Sequence, residues 1–344
     1  MRRRAVVHLG LPKCGSSALQ IRLGAAARQL PDHGGFYPLH RAPGHGVSIG
    51  HMALTAELAA AGANGPSPLL ADFLDQFARS GAQTLVLSSE GFVGRLPMIR
   101  NEAVAPLDAF DLDLVLFTRR ADVHTVSSYK HLVRRARHTG SFADFVAEGE
   151  RRGTNRLAMN LPRALTQAKR LFPEARVHLF DLDAHGGDSI ALFAGVSGLP
   201  LTRFSNEPKP GESSRNHRLL RSGRAVNQSH SDEKTLYLLA CNRSPLDKAD
   251  LAKIDDALLS VPDIAPDPRR LLSASESQRL LAASRRHNRA VETEFGFPLA
   301  QYEPMAVPEE SRTALTPAET DAITQELTAH LPPELIGRIR AALA

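Results

Sequence analysis

Ala5–Gln20 reads AVVHLGLPKCGSSALQ, and this stretch decides the fold. Ala5–Leu9 is a short apolar run with β-branched residues, the mark of a buried parallel strand. Gly10-Leu11-Pro12-Lys13-Cys14-Gly15 breaks the pattern. From Ser16 onward, the spacing Leu19, Leu23 with Ala25–Ala27 predicts a helix. A strand, a glycine-containing loop and a helix start make an anion site. The first helical N–H groups lack an intrahelical acceptor, and the positive end of the helix dipole points at the same spot. Lys13 adds a full charge, and Ser16 and Ser17 add adjustable donors. Gly15 lets the backbone approach an oxyanion with no Cβ in the way. The plain alternative is a tight strand-to-helix turn with an incidental lysine.

The order of residues separates two kinds of phosphate loop. A Walker A loop places its lysine after the second glycine, as in GxxxxGK[ST]. Here the order is Gly10-x-x-Lys13-x-Gly15-Ser16-Ser17, with lysine ahead of the last glycine. GLPKCGSSALQ resembles the 5′-phosphosulfate loop of sulfotransferases that use 3′-phosphoadenosine 5′-phosphosulfate (PAPS), where the pattern is roughly GxPKxG followed by two hydroxyl residues and often xLQ. Serine stands where threonine is commoner, which keeps the hydroxyl. The resemblance implies that Pro12, Lys13, Cys14, Gly15, Ser16, Ser17 and Ala18 bind the nucleotide.

A second stretch corroborates the first. LDLVLFTRRADVHTVSSYKH (Leu112–His131) is an apolar strand closed by Arg119. Ser127 follows eight positions later inside the next predicted helix, and Tyr129 comes two beyond it. This is similar to the sulfotransferase 3′-phosphate motif, in which an arginine clamps the phosphate as a fork and a serine donates to it. The chain departs from the common pattern in having Arg120-Ala121 where many members have Asn-Pro, which leaves open whether Arg120 shares the role. Taken alone, Arg119 and Ser127 read equally as a solvated strand end and a surface helix residue.

Between and beyond these motifs the chain alternates strands and helices. Gln83–Ser88, Leu112–Thr118 and Arg176–Asp181 are apolar runs that read as buried strands, and helices are expected at about 52–61, 69–79, 121–137, 142–150, 161–171 and from Ser189 to a stop at Gly198. Strands separated by helices predict an α/β fold, a parallel sheet flanked by helices. The resemblance specifies this as the P-loop NTPase-like sulfotransferase fold. Ligands of such sheets sit beyond the carboxyl ends of the strands, which gathers Lys13, Glu90, Arg119 and Asp181 along one edge. Asp32–His51, polar and rich in Gly, Pro and His, reads as a long loop. From Thr202 the texture changes, with a polar Pro/Gly segment over Arg203–Asn216 and only helical periods after it, including one at Leu219–Val226. The expected division is a PAPS-binding core over 1–210 and a helical part over 211–344 packed on it. Thr313–Ala344 reads as an appendage or a contact for a second copy in a homo-oligomer. The glycine-rich loop that closes over the nucleotide in cytosolic sulfotransferases has its nearest counterpart at Gly211–Arg215.

Composition bounds the rest. At 344 residues the chain can bury a large core. A net charge of +5 suits an anionic ligand without demanding one. Aromatic residues are only 5% of the chain, which argues against stacking on single-stranded nucleic acid. The two cysteines, Cys14 and Cys241, form no disulfide framework, and a reducing cytoplasm is the expectation. No apolar run is long enough to cross a bilayer.

The resemblance implies sulfuryl transfer from PAPS to an acceptor hydroxyl or amine, with a saccharide or a small alcohol as acceptor and no metal. Lys13 would meet the oxygen bridging phosphate and sulfuryl group. A base must take the acceptor proton. Glu90, which ends the strand between the two motifs, is the first candidate, and His51 is the second. A helix cap or an arginine partner is the plain reading of Glu90, and a solvent-facing loop residue that of His51. Cys14 reads as an inert loop residue or as a thiol activated by Lys13 and the helix start. Lys130, Arg134, Arg135 and Arg137 form a basic run that reads as a solvated helix face. Two rival functions stand beside the first: a P-loop kinase using ATP and Mg²⁺, and a non-catalytic nucleotide-binding protein.

Overall fold

Strand β1 (Arg4–Gly10) is the middle of a five-stranded sheet, with β5 (Thr84–Ser88) on one side and β6 (Asp111–Thr118) on the other. A computed structural model describes residues 2–42, 46–61, 67–151, 161–204, 230–263 and 270–343. The sheet order is β2-β5-β1-β6-β7, where β2 is Gly35–Phe36 and β7 is Arg176–Asp181, and every pairing is parallel. Val6 and Val7 pair with Val86 and Leu87 on one side, and with Asp113 and Leu114 on the other. The central strands are buried almost end to end, from Ala5 to Leu9, Leu85 to Ser88 and Leu112 to Phe117. Their continuous apolar runs are what a parallel sheet covered on both faces requires. Helices α1 (Ser16–Ala26), α2 (Met52–Ala60) and α3 (Pro68–Ser80) follow in order. Pro68 at the first turn and Ser67 accepting from Leu70 N–H start α3, and Gly81 ends it.

The expected four strands form, with β7 a part-exposed edge strand rather than a buried one, and two features of Asp32–His51 were not legible. Gly35–Phe36 adds a fifth, edge strand to the sheet, and β3 (His40–Ala42) pairs antiparallel with β4 (Gly46–Ser48). Both are too short for a periodic pattern, so only pairing partners elsewhere in the chain define them. His45, Gly211–Arg215 and the helix expected at Leu219–Val226 lie outside the described residues.

The chain divides into two compact units. The first comprises Met1–Arg119, Met159–Asn227 and His287–Ala300, and holds the sheet. The second comprises Arg120–Ala158, Gln228–Arg286 and Gln301–Ala344. Arg120–Ala158 thus groups with residues late in the chain, which a division at residue 210 does not anticipate. The reason is its apolar side chains. Tyr129 and Val133 of α4 (Ala121–Arg134) and Phe142 and Phe145 of α5 (Phe142–Arg151) share one core with Leu236, Tyr237, Ile254, Ile323 and Ile339. Thr313–Ala344 is no appendage either. Its two helices, Pro317–Leu327 and Pro333–Leu343, bury Ile323, Leu327, Leu335, Ile336 and Ile339 in that core. The basic run on α4 is also partly internal, with Lys130 on Asp232 at 2.7 Å and Arg134 on Asp255 at 2.8 Å.

At the start of β6 in the first unit, a buried carboxylate ties three segments together. Asp113 has a side chain 1% exposed and accepts from Arg4 Nε at 2.6 Å, Arg176 Nε at 2.8 Å and His178 Nε2 at 2.8 Å. Burial alone would raise its pKa, but the hydrogen bonds from Arg176, His178 and Arg4 outweigh it and hold the carboxyl well below the usual range. A carboxyl depressed in the folded state stabilises the fold above its unfolded pKa, and that contribution fades as pH falls below about 4. Asp113→Asn should therefore lower stability at pH 7 by about 1–3 kcal/mol, since it removes the charge that the part-exposed donors of Arg4, Arg176 and His178 meet. Denaturant melts at pH 7 and pH 3 check this, and the gap between wild type and variant should narrow at the lower pH.

Candidate anion-binding site

The loop between β1 and α1 is built from backbone. Leu11 N–H donates to Phe117 O at 3.2 Å, which pins the loop to the neighbouring strand β6. Ser16 Oγ donates to Leu11 O at 3.1 Å and closes the loop on itself. Lys13 and Gly15 both have left-handed backbones, with φ of 64° and 77°. Gly15 is the N-cap of α1, yet no side chain caps the helix and no acidic residue stands in its first turn. Leu19 N–H, donating to Gly15 O at 3.2 Å, makes the first helical bond. The amides of Ser16, Ser17 and Ala18 precede it, so the helix presents its positive end with no side-chain carboxylate of its own to neutralise it. Pro12, Lys13 and Ser17 are half-buried and Ala18 is exposed, so the outer rim of the loop is reachable. The Ser16 hydroxyl is committed to Leu11, which makes Ser17 the more open of the two alcohols.

Two glycines are required by close neighbours. A Cβ on Gly15 would lie 2.8 Å from Ser189 Oγ, whose hydroxyl donates to Gly15 O at 3.2 Å. A Cβ on Gly10, where φ is 113°, would lie 3.0 Å from the carbonyl oxygen of Glu90. That approach brings Glu90, just beyond the end of β5, against the loop.

Charges converge on the same point. Cys14 is fully buried, and burial pushes its thiol up to about 12, with Arg119 pulling the other way and Asp183, Asp181 and Glu90 adding to the rise. The thiol is therefore protonated and inert at neutral pH, and the reading of Cys14 as an activated nucleophile fails because desolvation exceeds any help from neighbouring positive charge. The same electrostatics locate one guanidinium and three carboxylates around the loop. Arg119 continues from β6 and presents its fork to Asp183, with Nη2 to Oδ1 at 3.0 Å and Nε to Oδ2 at 3.4 Å. Both side chains keep about a quarter of their surface exposed, 27% and 21%.

His51 is not placed to act as a base. It is fully buried, its Nδ1 accepts from Ser88 N–H at 3.0 Å and its Nε2 donates to Pro38 O at 2.8 Å. Burial lowers its pKa to about 3, more than the Pro38 hydrogen bond restores. Both ring nitrogens hold β5 and the segment before β3 together, so the expectation of a solvent-facing loop residue gives way to a structural histidine. Ser88 is the hub of this network: its hydroxyl is 2.8 Å from His8 Nδ1 and accepts from Gln20 Nε2 at 3.3 Å. Ser127 and Tyr129 belong to the second unit. Ser127 is half-buried on α4, and Tyr129 is a core residue whose hydroxyl donates to Gly140 O at 3.1 Å.

Sequence reasoning missed Asp183 and Ser189. Asp183 sits two positions past β7, at a strand end where ligand-facing groups gather, and that rule would have drawn attention to it. Ser189 reaches Gly15 across 174 residues of sequence, and no local signal marks it.

No family model matches this chain, and no curated relative matches it. Among solved structures it is similar to a sulfotransferase from Alicyclobacillus acidocaldarius, with a TM-score of 0.41 and 14% identity over 87% of this chain and 98% of that chain. It is also similar to retinol dehydratase in a complex with retinol and PAP, with a TM-score of 0.33 and 13% identity over 88% of this chain and 84% of that chain. Both are likenesses of fold at low identity, and neither assigns a reaction to this chain.

Proposed function

We propose that this chain is a sulfotransferase, moving the sulfuryl group of PAPS to an acceptor hydroxyl, with a saccharide the favoured acceptor class. The observation that carries the reading is Lys13 held at φ 64° between a glycine-bearing strand end and an uncapped helix start, with Arg119 acting on the adjacent Cys14. A non-glycine residue in left-handed backbone costs about 1 kcal/mol, a strain that functional sites retain. The donor set fits a nucleotide charged at both ends: loop amides, Lys13 and Ser17 for the 5′-phosphosulfate, and the Arg119 fork for the 3′-phosphate. Among the described residues no helix is long and apolar enough to cross a membrane. Two unpaired, buried cysteines agree with a reducing compartment, and the cytoplasm is our assignment.

The reaction is an in-line displacement at sulfur. The acceptor oxygen forms a bond to sulfur as the sulfur–oxygen bond to the 5′-phosphate breaks, and adenosine 3′,5′-bisphosphate departs. Positioning and charge stabilisation supply most of the catalysis, as in phosphoryl transfer. Lys13 neutralises charge growing on the bridging oxygen, and the α1 amides share it. Glu90 takes the acceptor proton; its backbone against Gly10 supports this assignment, and the committed nitrogens of His51 remove the alternative.

Lys13→Ala should lower turnover by ~10²–10³, about 3–4 kcal/mol of transition-state stabilisation, and single-turnover assays with PAPS measure it. Glu90→Gln should lower turnover with little change in nucleotide affinity, since the base acts on the acceptor; equal losses in both would make Glu90 a loop support instead. Calorimetry of adenosine 3′,5′-bisphosphate against ATP-Mg²⁺ tests the nucleotide class, and tighter binding of ATP-Mg²⁺ would replace this function with that of a kinase. Arg119→Ala should weaken the bisphosphate by about 10- to 100-fold and leave adenosine 5′-monophosphate nearly unchanged.

A further inference from the structure

Asp183 occupies the fork that the proposed function gives to the 3′-phosphate. Its two oxygens sit on Arg119 Nη2 and Nε at 3.0 and 3.4 Å, the bidentate pattern a phosphate would use. The contact is built into the backbone. Leu182 N–H donates to Thr118 O at 2.8 Å, stitching the turn that carries Asp183 to the residue before Arg119. His185 N–H and Gly187 N–H both return to Leu182 O, at 3.1 and 2.7 Å, and close that turn. Asp183 thus stands opposite Arg119 by construction of two adjacent strand ends, β6 and β7. The pair is partly open to solvent, so an incoming anion can reach it. Three carboxylates, of Asp183, Asp181 and Glu90, act on the loop at Cys14, an unusual surrounding for a site that must accept a polyanion.

We propose that Asp183 is a positioning residue that stands in for the distal phosphate: it holds the Arg119 fork extended before the nucleotide arrives and yields it to a dianionic 3′-phosphate. This rests on the reading of Arg119 as the 3′-phosphate ligand. A phosphate dianion outcompetes a single carboxylate for the fork, whereas a ribose hydroxyl does not. The exchange therefore sets selectivity for 3′-phosphorylated over unphosphorylated nucleotides, at some cost in absolute affinity.

The test is calorimetric titration of the full chain with adenosine 3′,5′-bisphosphate and with adenosine 5′-monophosphate. Wild type, Asp183→Asn, Arg119→Ala and the double variant are compared, with thermal melts confirming that each is folded. Asp183→Asn should tighten the bisphosphate about 3- to 10-fold, the scale of a partly exposed ion pair released from competition. In the Arg119→Ala background the same change should have little effect, because no fork remains to free. An equal gain in both backgrounds, or an equal gain for the monophosphate, would show Asp183 to be a general repulsive charge and overturn the proposal. Weaker bisphosphate binding in Asp183→Asn, with wild type binding normally, would also overturn it and leave the sulfotransferase function standing. Failure of wild type to bind the bisphosphate at all would overturn that function, and this inference with it.

Discussion

The turn from β1 into α1 is the constraint on which everything else depends. A parallel strand ending in the middle of a covered sheet must give its chain to a helix within a few residues. Here the change of direction is made with left-handed backbone at Lys13 and Gly15. The turn is then locked from three sides, by Phe117 O, by the Ser16 hydroxyl and by Ser189. Such a turn points helical amides outward, and no carboxylate of α1 is supplied to satisfy them. Under the proposed function, affinity for an anion would follow from this shortage of internal acceptors more than from any single side chain.

Electrostatic balance around the loop is mixed rather than simply positive. Lys13 and Arg119 face an environment that also holds Glu90, Asp181 and Asp183. A site of one sign would bind any polyanion. Under the proposed function, mixed charge with one arginine already engaged would favour anions whose phosphates match its positions. The buried network beneath the loop is neutral by comparison. His8 and His51 are both pushed down to about 3 by burial, so they serve as fixed hydrogen-bonding groups around Ser88 and carry no charge into the sheet.

The second unit shows how far sequence order and core membership can diverge. Helix α4 follows β6 directly, yet its Tyr129 and Val133 pack with residues from the last third of the chain. Ion pairs repeat the pattern, with Arg134 meeting Asp255 and Lys130 meeting Asp232. Two of the charges that read as a solvated helix face, Lys130 and Arg134, meet partners once the later helices fold, while Arg135 and Arg137 stay exposed.

What the sequence determined by itself was whatever depends on local period and local backbone need. The three central strands were legible because a parallel strand buried on both faces needs a nearly unbroken apolar run. The anion loop was legible because Gly10, Lys13 and Gly15, between a strand and a helix start, resemble the phosphosulfate loop of sulfotransferases. Only the tertiary structure decided which carboxylates meet that loop, that His51 is locked between Pro38 and Ser88, and that Cys14 is sealed from solvent. Each depends on contacts between segments far apart in the chain, where sequence spacing carries no distance; burial and pairing exist only once the sheet has brought its strand ends together.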